Sequence, residues 1–388
     1  MSDLASLGIR RDIVDLPESG IVEVVNYGRE KPDIIALWAG EGDKPTPDFI
    51  SDAAVTSLRD GETFYTYQRG IPELREALAH YHKGLYGGDR TAENYFVTGS
   101  GMQAITNAVQ SVVGAGDEVV KPTPAWPNIV GAVQIAGGRT VSAPMTFDHE
   151  GWQIDLDRLF DACSDKTKAI FINSPGNPTG VVLSREEVLA VRDFARERGL
   201  WILADEVYGR FSFDGDLAPS FQQVMGSEER LLIVNTFSKN WAMTGWRTGW
   251  ITAPAALGQV MENLIQYNTS GVPVFLQRGC IAALEQGEAF LQAQIDEVRD
   301  VRDLVCGEMS RWSKVEVAPP KGAFYLFFRV KGATSSRDIA LSLIDETNVG
   351  LAPGSAFGEE GEGFLRLCLA GSPARFKEAL ERLRPALA

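Results

Sequence analysis

One lysine in this 388-residue chain is set where covalent chemistry is possible. In Thr236-Phe237-Ser238-Lys239-Asn240-Trp241 it follows an apolar run and sits among hydroxyl-bearing and aromatic residues, with Arg247 eight positions on. Shielding from water beside a second cation disfavours the ammonium form, and the free amine is a nucleophile that forms a Schiff base with an aldehyde. Thr236, Ser238 and Arg247 supply hydroxyls and a guanidinium, a set suited to a phosphate dianion. A structural lysine closing a strand gives the same local pattern.

Ala204-Asp205-Glu206-Val207-Tyr208 follows the apolar run Leu200–Leu203, which places Asp205 at the carboxyl end of a strand, the edge where open α/β sheets bind ligands. A carboxylate there can keep a pyridine nitrogen protonated and make its ring an electron sink, while Tyr208 can donate to a ring phenolate. A strand-end Asp capping the next turn is the plainer alternative. A third group, Asn173-Ser174-Pro175-Gly176-Asn177-Pro178-Thr179-Gly180, is a loop stiffened by two prolines that leaves Asn177 projecting.

These residues need a scaffold. From Tyr95 to Ala253 short apolar runs alternate with amphipathic stretches, the pattern of βαβ units on a central sheet. Strands are expected at Tyr95–Thr98, Glu118–Lys121, Thr167–Asn173, Leu200–Asp205, Leu231–Thr236 and Trp246–Thr252. Helices are expected over Met102–Val113, after a Gly99-Ser100-Gly101 turn, and from the Ser184/Glu187 capping box to Gly199. Beyond Val274 come helical patterns at Phe275–Glu285 and Ala289–Arg311, strands at Ala323–Phe328 and Phe364–Leu369, and a closing helix over Pro373–Leu387. Pro17, Pro32, Pro45 and Pro47 break up any long helix before them. The fold class expected is α/β: a large domain, residues 48–280, with a mostly parallel sheet flanked by helices, and a smaller α+β domain, residues 281–388, completed by an N-terminal arm, residues 1–47.

Composition narrows the function classes. Against 37 Lys+Arg stand 52 Asp+Glu, a net charge of −15, which argues against a nucleic-acid partner. No apolar run reaches membrane-spanning length, and Met1-Ser2-Asp3-Leu4-Ala5 has no basic, then apolar, leader pattern; a cytoplasmic protein with no membrane partner is expected. Cys163, Cys280, Cys306 and Cys368 read as buried thiols without metal-ligand spacing, and His80, His82 and His149 offer no metal or triad site.

Taken in order, these motifs resemble those of the class I/II aminotransferases, of the fold type I group of pyridoxal-phosphate enzymes. The resemblance covers nearly the whole chain: Ala39-Gly40-Glu41-Gly42-Asp43 with Pro45-Thr46-Pro47, Tyr65 with Gly70-Ile71-Pro72-Glu73-Leu74-Arg75, Asn177-Pro178-Thr179-Gly180, Asp205-Glu206-Val207-Tyr208, Ser238-Lys239 and Arg366. It implies pyridoxal 5'-phosphate as cofactor, Lys239 as the Schiff-base lysine, Asp205 on the pyridinium nitrogen, and Tyr208 and Asn177 as donors to the phenolic oxygen. Ser100, Gly101 and Met102, at a helix N-terminus, with Thr236, Ser238 and Arg247, would hold the phosphate; Trp126 would stack on the ring. Arg366, a cation in an apolar strand, would take the substrate carboxylate, with Gly40 and Asn177 beside it. Tyr65, or Tyr67 in another register, would reach the neighbouring subunit's phosphate, making the enzyme a homodimer.

The reaction so implied moves the α-amino group of an L-amino acid to a 2-oxo acid. A β-eliminating lyase of the C–S type on the same scaffold is the alternative. Gly99-x-Gly101-x-x-Ala104 also fits a dinucleotide fingerprint, but Lys121-Pro122, not an acid, ends the second strand; a dinucleotide-binding oxidoreductase is therefore remote. Aspartate-type members often carry lysine where Met102 stands. With Trp38 and Trp126 it suggests an apolar pocket for neutral or aromatic amino acids, although Lys44 could supply a charge.

Overall fold

In the computed structural model, which describes residues 7–215 and 217–388, a seven-stranded sheet carries the site. Its strands are β1 (Tyr95–Thr98), β2 (Glu118–Thr123), β3 (Arg139–Pro144), β4 (Thr167–Asn173), β5 (Trp201–Asp205), β6 (Leu231–Thr236) and β7 (Gly249–Thr252). They lie in the order β1-β7-β6-β5-β4-β2-β3. Only β7 runs antiparallel to its neighbours. The central strands are apolar on both sides because helices cover both faces.

Alternation along the strands decides what reaches the site. Ile170 and Ile172, Ile202 and Ala204, and Leu231 and Ile233 pack on one face, beneath α2 (Arg185–Arg198). Phe171, Leu203 and Val234 pack on the other, beneath α1 (Gly101–Val112). Continuing that second series by two residues gives Asn173, Asp205 and Thr236, the last residues of β4, β5 and β6. Three polar groups therefore emerge side by side at one sheet edge, with Asn173 directly opposite Asp205.

A second, antiparallel sheet has the order β8-β9-β11-β10, from β8 (Val315–Glu316), β9 (Tyr325–Val330), β10 (Ala352–Pro353) and β11 (Phe364–Cys368). The helices α3 (Glu288–Met309), α4 (Ser336–Thr347) and α5 (Pro373–Leu387) pack around it in one apolar core. The N-terminal segment joins this unit: Ile35–Ala36 pairs in parallel with Val349–Gly350, and helix Gly20–Gly28 packs against α4 and β10.

The capping box is present, with the Ser184 Oγ accepting from Glu187 N–H and the Glu187 carboxylate from Ser184 N–H, and α2 ends on left-handed Gly199. Three expectations need correcting. The strand read from Trp246 begins only at Gly249, because Trp246 belongs to a short 3-10 turn and Arg247 takes φ +53°, outside strand geometry. The edge strand β3 is not among the expected strands, since half of Arg139–Pro144 is exposed, one residue of it is buried, and it lacks an apolar run. Cys163 is only half-buried, whereas the other three thiols are buried. Among the described residues no helix is long and apolar enough to cross a membrane; Met1–Ala5 lie outside them.

Candidate active site

A cavity of about 360 Å³ opens where the edge of the large sheet meets the small sheet. Its wall includes Asn173, Asp205 and Thr236 from the strand ends, Lys239, Ser238 and Arg247 from the segment after β6, and Gly101 and Met102 from the start of α1. Trp126, Asn177, Tyr208, Tyr325, Arg366 and Gly40 complete the polar and aromatic wall. Most residues singled out from the sequence thus converge on one space.

Lys239 Nζ donates to the Gly40 carbonyl oxygen at 2.7 Å. Burial is the largest influence on this amine and brings its pKa down to about 8, with Arg366 and Arg247 acting in the same direction. Asp205 is buried, and among the described residues its carboxylate accepts a single hydrogen bond, from Val207 N–H at 3.3 Å. Desolvation raises its pKa to about 7 against a smaller opposing pull from Val207 N–H and Lys239. A carboxyl this poorly satisfied is built to meet a cation or a donor that the protein itself does not supply.

The start of α1 offers donors. Ser100 sits at φ +145° as N-cap, and its Oγ accepts from Gln103 N–H at 3.0 Å. The hydroxyl therefore serves the helix, while the Gly101 and Met102 N–H groups, in the first turn, have no partner within the helix. Thr236 Oγ1 donates to the Thr248 carbonyl at 3.0 Å and lies 2.9 Å from Ser238 Oγ, fixing two hydroxyls beside those N–H groups. Arg247 is exposed at the rim, its Nη1 donating to Thr244 O at 2.6 Å.

Arg366 is 3% exposed. Its Nη1 donates to Asn177 Oδ1 at 2.9 Å and its Nη2 to the Trp38 carbonyl oxygen. Its guanidinium lies over the Tyr325 and Phe357 rings at 4.5 and 4.8 Å. Among the described residues the Nε has no acceptor, so this buried cation is incompletely satisfied.

The alignment of these groups has known counterparts. The family model for aminotransferase class I and II matches residues 32–383. The chain belongs to the class I and II aminotransferases. It is 33% identical over 98% of its length to an aspartate aminotransferase of Pyrococcus horikoshii, of which 97% is covered. It is 35% identical to aromatic-amino-acid aminotransferase 2 of Thermococcus litoralis, with 91% of this chain and 92% of that one covered. The solved structure of aspartate aminotransferase from Thermotoga maritima superposes with a TM-score of 0.90 at 32% identity, over 97% of this chain and 99% of that one.

Its cofactor is pyridoxal 5'-phosphate, and the site fits that group on its own terms. The under-satisfied Asp205 carboxyl, the unpartnered N–H pair of α1 and the free Nε of Arg366 offer, respectively, an acceptor for a ring N–H, donors for a phosphate and a donor for a carboxylate.

Two expectations meet a different placement. Trp38 does not line the cavity: its ring is wedged between Gly28 and Gly350 in the small core, and only its backbone oxygen touches Arg366. Lys44 pairs with Glu297 outside the cavity. Tyr65, expected to serve a neighbouring subunit, is 97% exposed and does not line its own chain's cavity. Conversely, Tyr325, Ile105 and Ile21 line the cavity although no motif in the sequence marks them for it, and Asn173, visible there only as the start of the proline-stiffened loop, joins them. Tyr325 reads as core inside Phe324–Phe328; its polar hydroxyl in an apolar run was the one available signal.

Proposed function

We propose that this aminotransferase moves the α-amino group of a neutral or aromatic L-amino acid, in preference to aspartate, to a 2-oxo acid. The observation that carries the substrate preference is the charge of the wall. Among the described residues its only cations are Lys239, Arg247 and Arg366, and these are claimed by the cofactor and the α-carboxylate. Met102, Ile105, Trp126 and Ile21 supply apolar surface to the remainder, where a distal carboxylate would be desolvated without a counter-charge. The relatives named above include both an aspartate and an aromatic-amino-acid enzyme.

In this reading the bound cofactor supplies an aldehyde for the amine and an electron-accepting ring for the carbanion. Lys239 would be the condensing amine and the base that carries the substrate's α-proton; its depressed pKa leaves a useful fraction unprotonated near neutrality. Asp205 holds a proton on the ring nitrogen. Tyr208 and Asn177 donate to the phenolic oxygen. The Gly101 and Met102 N–H groups, Thr236, Ser238 and Arg247 hold the phosphate, with Ser100 contributing by fixing the helix start. Trp126 covers one ring face, and Arg366 clamps the α-carboxylate next to Gly40. Tyr65 and its exposed neighbours Phe64 and Tyr67 belong to a homodimer interface, with Tyr65 serving the other protomer's phosphate.

The test is the visible spectrum of the loaded protein before and after adding single amino acids without any oxo acid. Transamination bleaches the band stoichiometrically with phenylalanine or leucine, and more slowly with aspartate. Faster bleaching with aspartate would overturn the substrate preference. A persistent colour with release of ammonia and pyruvate from a β-substituted amino acid would replace transfer by elimination. Lys239→Ala should take up cofactor without any borohydride-fixed label at residue 239.

A further inference from the structure

Tyr325 on β9 is 1% exposed and stands between two residues of the site. Its ring lies 4.5 Å beneath the Arg366 guanidinium. Its hydroxyl is 2.7 Å from that of Tyr208, and among the described residues it has no other hydrogen bond. The chain leaves room for this oxygen at Gly40, where a Cβ would come within 2.0 Å of it.

We propose that Tyr325 is a positioning residue: it donates to Tyr208, sharpening that residue's hydrogen bond to the cofactor's phenolic oxygen, and it holds Arg366 flat for the substrate carboxylate. This rests on the roles given above to Tyr208 and Arg366. A phenol has one proton. When Tyr208 spends its own on the phenolic oxygen, the 2.7 Å contact persists only with Tyr325 as donor, and accepting that bond polarises the Tyr208 O–H further. Burial pushes both hydroxyls well above the usual tyrosine range, so both stay protonated donors throughout the working pH.

The charged and titratable groups facing this pair come from several elements: Asp205 on β5 and Arg366 and Cys368 on β11, with Lys239, after β6, reaching the same point beside Gly40. Tyr325→Phe leaves every one of them in place and removes only the donor. With a weaker Tyr208 bond, the phenolic oxygen shares more of its charge with the proton on the neighbouring nitrogen of the lysine linkage, and that proton is lost at higher pH.

The experiment titrates the visible band of the pyridoxal-phosphate-loaded enzyme against pH. In Tyr325→Phe the midpoint should rise by about half a pH unit, while the KM for the amino acid changes less than about twofold because the ring under Arg366 remains. Tyr325→Leu should show the same rise together with a three- to tenfold increase, roughly, in KM. Tyr208→Phe should raise the midpoint more, and adding Tyr325→Phe to it should raise it no further. The proposal fails if Tyr325→Phe titrates like the parent, or if its effect adds in full to that of Tyr208→Phe. A Tyr208→Phe midpoint equal to the parent's would instead remove the role assigned to Tyr208, and this proposal with it. Should the leucine variant not fold, the phenylalanine variant and the double variant decide the matter.

Discussion

An amine and a carboxyl kept in one cavity titrate in opposite directions, and each direction has a measurable consequence. Asp205 holds its proton up to about pH 7 in the fold but releases it near 3.8 in the unfolded chain. Between those values the folded state binds more protons, so the stability of the cofactor-free protein falls as pH rises across that window. Asp205→Asn removes the penalty. It should unfold at higher temperature than the parent at pH 8, by roughly 1–3 kcal/mol of stability, and at about the same temperature at pH 4; an equal gain at both pH values would refute desolvation as the cause. The same variant should turn over on the order of 10²–10⁴-fold more slowly if Asp205 has the proposed role of facing the ring nitrogen. Lys239 runs the other way: its pKa is brought down to about 8, and the neutral amine is the reactive form. The rate at which the cofactor-free protein acquires its visible band should therefore climb about tenfold per pH unit below 8 and flatten above it. A pH-independent rate between 6 and 8 would contradict the depressed amine.

Elements place these residues, and the placement is tight where α1 begins. A Cβ on Gly249 would lie 2.7 Å from Asn235 O, 2.8 Å from Gly101 N and 2.9 Å from Ser100 C. β7 thus presses on the turn that aims the Gly101 and Met102 N–H groups. Gly249→Ala must push that turn outward, at about 1–3 kcal/mol, and should weaken cofactor binding by about tenfold or more. Gly84→Ala, whose Cβ meets nothing within 4 Å, should leave affinity unchanged; equilibrium dialysis of cofactor against both variants measures the difference. This level also shows what could be read from the chain alone. The strand ends at Asn173, Asp205 and Thr236 were legible because buried parallel strands are uninterrupted apolar runs that stop abruptly at polar residues. β3 was not, because an exposed edge strand needs no apolar face. Arg247 was found, but its left-handed backbone could not be foreseen in a non-glycine residue. Trp38 was misassigned because an aromatic residue beside a glycine-rich segment gives no sign of which neighbour its ring will meet; here it meets Gly28 and Gly350. Tyr325 was hidden by Phe324, Leu326, Phe327 and Phe328, which form core on every side of it.

At the scale of the molecule, the proposed shared site rests on aromatic side chains turned to solvent. Phe64, Tyr65 and Tyr67 are 84%, 97% and 64% exposed, and Tyr267 is 89% exposed, and exposed aromatic residues close together in the chain are the kind of surface a protein partner covers. If Tyr65 completes the site of a second copy, two inactive proteins can repair each other. Lys239→Ala and Tyr65→Ala homodimers are each impaired at both sites. Dissociated together and reassociated, they form a hybrid in which one site draws Lys239 from one protomer and Tyr65 from the other, while the second site lacks both. Random pairing makes half the dimers hybrid, so about a quarter of all sites should regain parental activity, a rise absent when the two proteins are mixed without exchange. Were Tyr65 to serve its own protomer, each hybrid would hold one site of each defective kind, and no parental site would form at any mixing ratio. The activity of the exchanged mixture therefore separates a shared site from two self-contained ones without reference to the mass of the assembly.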